Sequence, residues 1–220
     1  MILSSQTGRK FLWVALFSVA FALVESSVVV YLRSLYYPHG FEFPLKLISP
    51  QHLVVELSRE AATIVMLVAV GALAGARVWE KFAYFLVAFG VWDIFYYVWL
   101  KAFLDWPASL GDWDILFLIP LPWIGPVVAP VLISLLMIVC GSLMVLRMEK
   151  SGSFHPGWLP WSLSTLGTII VLYSFMADTQ ATLYGQEPTP YQYSFLLMCL
   201  LLYAISFALS FRSPTSRVKA

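Results

Sequence analysis

Six long apolar stretches constrain the fold of this chain more than any other feature of its sequence. Of its 220 residues, 60% are hydrophobic and only 11% are charged, which is typical of a membrane protein rather than a soluble domain. A helix needs roughly 20 apolar residues to cross the hydrocarbon core. The six stretches cover approximately residues 11–36, 50–78, 82–104, 126–148, 158–177 and 193–211. We therefore expect an all-α, polytopic bundle of six transmembrane helices that forms one domain over residues 1–220.

Basic residues predict how this bundle is oriented, because cytoplasmic loops collect lysine and arginine. In a six-span arrangement, four basic segments fall on one side, and the loops on the other side are mainly acidic. The four segments contain Arg9 and Lys10, Arg77 and Lys81, Arg147 and Lys150, and Arg212, Arg217 and Lys219. We expect an integral protein of the plasma (inner) membrane, surrounded by the lipid bilayer, with both termini cytoplasmic. The net charge of +1 and the lack of a basic stripe argue against nucleic acid as a partner.

Charged residues inside the predicted spans are the main indication of a functional site, because charge at bilayer depth is unfavourable and usually functional. In the second span His52, Glu56 and Arg59 follow at steps of four and three residues, which places them on one helix face, and Glu60 lies one turn below Glu56. Two carboxylates at this spacing repel each other unless a cation or a proton intervenes. Arg59 is the expected partner, since its planar guanidinium can bind a carboxylate through two hydrogen bonds.

The first and third spans add further polar groups. Glu25 lies near the middle of the first span, and the third span carries a polar series at Asp93, Tyr96, Tyr97 and Lys101. Asp93 is expected to be either paired with Arg59 or protonated. Arg33 and Lys101 have long side chains, which we expect to extend toward the outer interface.

Four potential anions thus face one fixed cation inside the spans, which predicts an acidic site in the outer half of helices one to three. Such a site would bind a small molecule, a proton or a cation. The alternative is that the charges form buried ion pairs whose role is to fix helix register.

A segment rich in proline and tryptophan precedes the fourth span. Its five prolines within residues 107–130 exclude a continuous helix, and its charge-free part must contact protein, line a cavity or rest at the interface. We predict a short amphipathic or re-entrant lid, with candidate residues Trp106, Asp112, Trp113, Asp114 and Trp123. The tryptophans are typical of interface anchors, with ligand stacking as the alternative.

Small residues and cysteines have simpler interpretations. Gly71 and Gly75 form a GxxxG pair, which predicts close helix packing, within this chain rather than in a homodimer. Cys140 and Cys199 lie in apolar runs without CxxC spacing, which favours packing over redox chemistry. No metal site is predicted, because no helix carries an ExxH or HExxH pattern, and the sequence identifies no cofactor.

The sequence is compatible with three functions. The leading hypothesis is an outward-facing polar cavity that binds a small molecule or moves protons or cations. The second is an intramembrane enzyme in which Glu25 or Asp93 acts as a general acid on an isoprenoid or quinone. The third is a non-catalytic subunit of a membrane complex, or a homo-oligomer, in which the glycines and charges serve assembly.

Overall fold

The computed structural model describes residues 4–46, 48–152 and 154–212, and it consists mainly of long helices. The predicted spans agree with helices whose ends differ from the predicted ends by a few residues in most cases. In chain order the elements are α1 (Ser5–Tyr36), α2 (Pro50–Ala74), α3 (Val78–Leu104), β1 (Trp113–Phe117), β2 (Trp123–Pro126), α4 (Val128–Ser151), α5 (Trp158–Met176), α6 (Thr179–Tyr184) and α7 (Tyr193–Arg212).

Within the described residues, five helices are long and apolar enough to cross a membrane, namely α1, α3, α4, α5 and α7. The protein is therefore a multi-pass membrane protein. The sequence prediction of six spans is not supported in full, because α2 is not among these five. This helix carries Glu56, Arg59 and Glu60 in its N-terminal half, where they interrupt its apolar character.

Local sequence explains where the first two helices begin. The Ser4 hydroxyl accepts a hydrogen bond from the backbone N–H of Thr7 at 3.2 Å, and the Ser49 hydroxyl accepts one from the N–H of His52 at 3.3 Å. Both serines satisfy backbone donors that the first helical turn leaves free. Pro50 follows Ser49 in the first turn, where its missing N–H is not needed.

Helix α3 lies at the centre of a four-helix group and packs against α1, α2 and α4. Glycines permit the close approach. A Cβ atom on Gly71 would lie 2.7 Å from the carbonyl oxygen of Lys81, and one on Gly90 would lie 2.5 Å from that of Ser134. Such small residues let helix backbones come together where lipid provides no hydrophobic driving force. The second group is the pair α5 and α7, whose Ser164 and Ser206 hydroxyls hydrogen-bond at 2.7 Å.

The proline- and tryptophan-rich segment forms a β-hairpin in a chain that is otherwise mainly helical, so the prediction of a short amphipathic or re-entrant lid is not confirmed. Strands β1 and β2 are antiparallel, with Asp114 opposite Gly125 and Ile115 opposite Ile124. Pro120 and Pro122 lie in the connecting turn, where their missing N–H groups do not interrupt the strand pairing. Strand pairing therefore satisfies backbone groups that the prolines prevent a helix from satisfying.

The basic segments at the start of α1, between α2 and α3, and at the end of α4 lie at one end of the four-helix group. Lys10 forms an ion pair with Glu80 at 3.6 Å, and the backbone N–H of Ser4 donates to Glu149 at 3.1 Å. Arg77 also donates to the carbonyl oxygen of Gly152. Arg217 and Lys219 fall outside the described residues. The hairpin and the first loop lie at the opposite end.

Candidate functional site: a charged cavity between α1, α2 and α3

A cavity of about 170 Å³ opens at the hairpin end of the four-helix group. Its walls are the C-terminal half of α1, the N-terminal half of α2, the C-terminal half of α3, the first loop and strand β1. Most of the polar lining comes from the three helices, which contribute Glu25 and Arg33, Glu56, Arg59, Glu60 and Thr63, and Asp93, Tyr96 and Tyr97. The cavity therefore brings together residues that lie more than 60 positions apart in the sequence.

Arg59 connects two of the acids. Its Nη2 and Nε atoms donate to Oε2 of Glu56 at 2.7 and 3.1 Å, and its Nη1 atom donates to Oε2 of Glu25. The other oxygen of Glu25 accepts a hydrogen bond from the Thr63 hydroxyl at 2.9 Å. Both glutamate side chains are buried, at 5% and 6% exposure. One guanidinium thus compensates two buried carboxylates on different helices.

Asp93 and Glu60 have neutral partners. Oδ2 of Asp93 accepts a hydrogen bond from the Ser134 hydroxyl on α4 at 2.8 Å, and Oε2 of Glu60 accepts one from the backbone N–H of Leu118 at 2.8 Å. Among the described residues neither carboxylate forms an ion pair within 4 Å. Of the two states expected for Asp93, pairing with Arg59 is not found among the described residues, because three nitrogens of Arg59 donate to Glu25 and Glu56.

Arg33 lies inside the protein, and its predicted extension toward the outer interface is wrong. The side chain is 8% exposed, and its Nη2 atom donates to Oδ1 of Asp114 at 3.0 Å. The guanidinium also lies 3.7 Å from the ring centroid of Trp106 and 4.1 Å from that of Phe41. Burial is possible because an anion and two aromatic faces replace the solvation that the interface would have provided. Arg33 lies eight positions after Glu25, so the two side chains lie on the same side of α1. This spacing was the signal in the sequence that Arg33 could face the same cavity as Glu25.

Two buried N–H groups on the cavity lining have no hydrogen-bond partner among the described residues. They are Nη1 of Arg33 and the indole Nε1 of Trp92. Such donors are rare in protein interiors. Trp92 was not among the site residues predicted from the sequence, because an indole in a span is usually a packing residue.

Of four other predicted site residues, two line the cavity and two lie on the surface. Tyr96 and Tyr97 line the cavity. His52 and Lys101 do not, which corrects their assignment to the site. The His52 ring nitrogen Nδ1 hydrogen-bonds to the Tyr36 hydroxyl at 2.6 Å on the surface. Lys101 is half exposed and forms an ion pair with Asp105 at 2.7 Å, because one further helical turn carries it past the cavity.

The candidate lid residues have separate positions. The Trp106 ring covers the Arg33 guanidinium, and Asp114 forms an ion pair with Arg33. Trp106 and Asp114 therefore hold Arg33 in the cavity wall. Trp113 contacts Phe43 and Tyr191, and Trp123 stacks on Phe175, with ring centroids 6.4 Å apart. Asp112 accepts hydrogen bonds from Ala108 and Ser109 in an exposed turn. The hairpin forms a wall of the cavity through residues 115–118.

Outside the helices, several groups near this end have shifted pKa values, among them Asp105 and Tyr37. The hydrogen bond from Lys101 and its charge lower the pKa of Asp105, so this exposed carboxyl group is ionised at neutral pH. Burial raises the pKa of Tyr37 above its usual value, and its hydroxyl accepts the backbone N–H of Lys46 at 2.7 Å. Tyr37 therefore supplies a neutral hydroxyl group at the mouth of the cavity.

The glycine pair and the cysteines lie away from the cavity. Gly71 and Gly75 face the first turns of α3, where a Cβ on Gly75 would lie 2.3 Å from the backbone nitrogen of Lys81. This glycine strip is thus occupied within the chain. Cys140 and Cys199 are free thiols. Within the described residues, no three His, Cys, Asp or Glu side chains are grouped so that they could hold a metal ion.

Comparison with known proteins found no matching family model, curated protein or solved structure.

Proposed function

We propose that this protein binds a small, positively charged solute in the cavity between α1, α2 and α3. The observation that carries the proposal is that Glu60 and Asp93 are hydrogen-bonded to neutral groups. Both line the cavity, and both have a neutral hydrogen-bond donor as partner instead of a cation. An ionised carboxylate in a low-dielectric site is stabilised by a nearby opposite charge, and a bound cation supplies that charge.

The balance of charges in the cavity supports a cationic ligand. Arg59 is engaged by two glutamates, and Arg33 is engaged by Asp114. Lys46 also borders the cavity, but its side chain is exposed and lies over the Tyr37 ring at 5.3 Å. Arg59 is one cation against two glutamates, and Glu60 and Asp93 have neutral hydrogen-bond partners, so carboxyl groups outnumber guanidinium groups in the cavity.

The size and closure of the cavity favour a small ligand that enters from one side. A volume of about 170 Å³ is below the roughly 300–1,000 Å³ of sites for drug-sized molecules. Toward the other end of the bundle, the space between the helices is filled by a hydrophobic core that includes Phe21, Leu67, Tyr84 and Val87. This arrangement supports binding from the hairpin side, and transport across the membrane would require a rearrangement of the core.

We also propose that α2 crosses the membrane, which makes six spans. Its 25 residues extend about 37 Å at 1.5 Å per residue, which exceeds the roughly 30 Å hydrocarbon core. Its start lies beside the end of α1, through Tyr36 and His52, and its end packs on the start of α3. With six spans, both termini lie on the side of the basic segments, which is the cytoplasmic side by the distribution of lysine and arginine. The cavity then faces away from the cytoplasm in a plasma membrane.

Binding of methylamine and of ethanolamine to the protein in lipid nanodiscs, measured by isothermal titration calorimetry at pH 7, tests the proposal. The double variant Glu60→Gln/Asp93→Asn retains side-chain oxygens that accept the Leu118 and Ser134 hydrogen bonds but removes both charges. We expect at least tenfold weaker binding, since hydrogen bonds to charged groups contribute about 1.5–3 kcal/mol each. The control Asp105→Asn removes a carboxylate outside the cavity and should bind as the parent does.

Absence of binding by the folded parent, or equal binding by the double variant, would contradict the proposal. Circular dichroism and gel filtration establish that each variant is folded. Uptake of methylamine by proteoliposomes then separates a carrier from a binding protein. Conversion of an isoprenoid or quinone that depends on Asp93 would instead support the enzymatic alternative.

A further inference from the structure

The unpartnered donors of the cavity indicate that its ligand also carries an acceptor. Nη1 of Arg33 and Nε1 of Trp92 are buried and have no hydrogen-bond partner in the described part of the chain. The Arg33 and Trp92 side chains are more than nine-tenths buried, and both line the cavity. A buried donor without an acceptor is unfavourable, and a small cation alone leaves both donors unsatisfied.

Arg33 is held in a fixed orientation. Asp114 binds one terminal nitrogen at 3.0 Å, and the guanidinium plane is enclosed by the rings of Trp106 and Phe41. Little side-chain entropy is therefore lost when the second terminal nitrogen donates a hydrogen bond. Arginine prefers the oxygens of carboxylate and phosphate groups as acceptors.

The donors and the acids without cation partners share one chamber. The lining of the cavity of about 170 Å³ includes Arg33 and Trp92 together with Glu60 and Asp93. A single small molecule can therefore reach both kinds of group. This combination of charges matches a molecule that carries an ammonium group and an anionic oxygen group.

We infer that the cavity binds a small zwitterion, whose primary ammonium contacts Glu60 and Asp93 and whose carboxylate or phosphate oxygens accept hydrogen bonds from Arg33 and Trp92. The inference rests on the proposed binding of a cationic solute and specifies its chemistry. Two sources share this chemistry, a free amino acid and the phosphoethanolamine headgroup of a lipid.

Matched probes test the inference. Glycine differs from methylamine by a carboxylate, and phosphoethanolamine differs from ethanolamine by a phosphate. In the parent protein we expect at least one zwitterion to bind tenfold or more tightly than its matched amine, since a hydrogen bond from a charged donor contributes about one to two orders of magnitude in affinity. The measurement is calorimetry in nanodiscs of phosphatidylcholine and phosphatidylglycerol.

The variant Trp92→Phe removes the indole N–H and keeps an aromatic ring for the contacts with Phe21 and Phe89. We expect it to weaken zwitterion binding about tenfold more than it weakens amine binding. Trp123→Phe is the matched control. The Trp123 indole N–H is also buried and has no partner among the residues that the structure describes, but Trp123 does not line the cavity. This variant should bind both classes as the parent does.

The outcomes separate the two proposals. Equal affinity for zwitterions and matched amines, or an equal loss of both in Trp92→Phe, would overturn the zwitterion inference and leave cation binding intact. Failure of all four probes to bind would overturn cation binding as well. If zwitterion binding is confirmed, nanodiscs that contain phosphatidylethanolamine identify the source. Competition by this lipid supports a headgroup, and undiminished glycine or phosphoethanolamine binding supports a free solute.

Discussion

Removal of the Arg59 guanidinium should destabilise the protein strongly, and neutralising its two partners should reverse most of the effect. Arg59 compensates Glu25 and Glu56, both about 95% buried. In Arg59→Met two carboxylates remain in a poorly solvated site without a cation. Glu25 retains its hydrogen bond from Thr63, whereas Glu56 loses both hydrogen bonds donated by Arg59.

Breaking a buried ion pair by removing one partner costs about 3–5 kcal/mol, while replacing the whole pair by neutral groups is often without net effect. We therefore expect the free energy of unfolding of Arg59→Met to fall by about 3–5 kcal/mol at pH 7. The triple variant Arg59→Met/Glu25→Gln/Glu56→Gln should lie within about 1 kcal/mol of the parent. The deficit of the single variant should be smaller at pH 5 than at pH 8, because protonation removes the uncompensated charge.

The assay is reversible unfolding in mixed micelles with increasing mole fraction of dodecyl sulfate, followed by fluorescence of the nine tryptophans. The comparison between single and triple variants is decisive, because both lack the Arg59 side chain and differ only in the two carboxylates. The reasoning is refuted if Arg59→Met is as stable as the parent, or if the triple variant is no more stable than the single one.

Two further predictions concern helix packing and the edge of the site. A Cβ on Gly90 would lie 2.5 Å from the Ser134 carbonyl oxygen, so Gly90→Ala should separate α3 from α4 by almost 1 Å and lower the free energy of unfolding by about 1–3 kcal/mol. Gly8 has open space around it, so Gly8→Ala should not lower the free energy of unfolding. Equal effects of the two substitutions would contradict the explanation by helix packing. Lys101→Met removes an exposed ion pair with Asp105 and a hydrogen bond to the Asp105 carbonyl oxygen. Since both contacts are exposed, the melting temperature should change little and the calorimetric affinity for methylamine should not change. A loss of affinity would return Lys101 to the site.

Helix positions were predictable from the sequence because the bilayer imposes them. A span must be apolar over about 20 residues and must satisfy its own backbone hydrogen bonds, so apolar runs and the Ser49–Pro50 start signal mark helices without knowledge of their neighbours. The hairpin was not predictable in the same way. Prolines exclude a helix in this segment, but strand pairing between Ile115 and Ile124 depends on two short runs meeting across a turn.

The candidate site shows the same division. Charged residues within apolar runs pointed to Glu25, Arg59 and Asp93, since charge at bilayer depth requires a reason. Helical spacing also placed His52 and Lys101 with them, but spacing specifies a face and not how far along the helix a cavity extends. Arg33 shows the converse error, because a long basic side chain near a helix end extends toward water unless the fold supplies a buried anion.

Hydropathy and charge are properties of each residue, so the amino-acid sequence alone is enough to identify a multi-pass helical membrane protein with an excess of acid inside its spans. Which of these charges meet depends on how the helices and the hairpin pack. Arg59 binds Glu25 and Glu56, Arg33 binds Asp114 of the hairpin, and Glu60 and Asp93 are left with neutral partners. The reason is physical, since electrostatic interactions fall off steeply with distance and those distances are set by helix packing at glycines and by the hairpin.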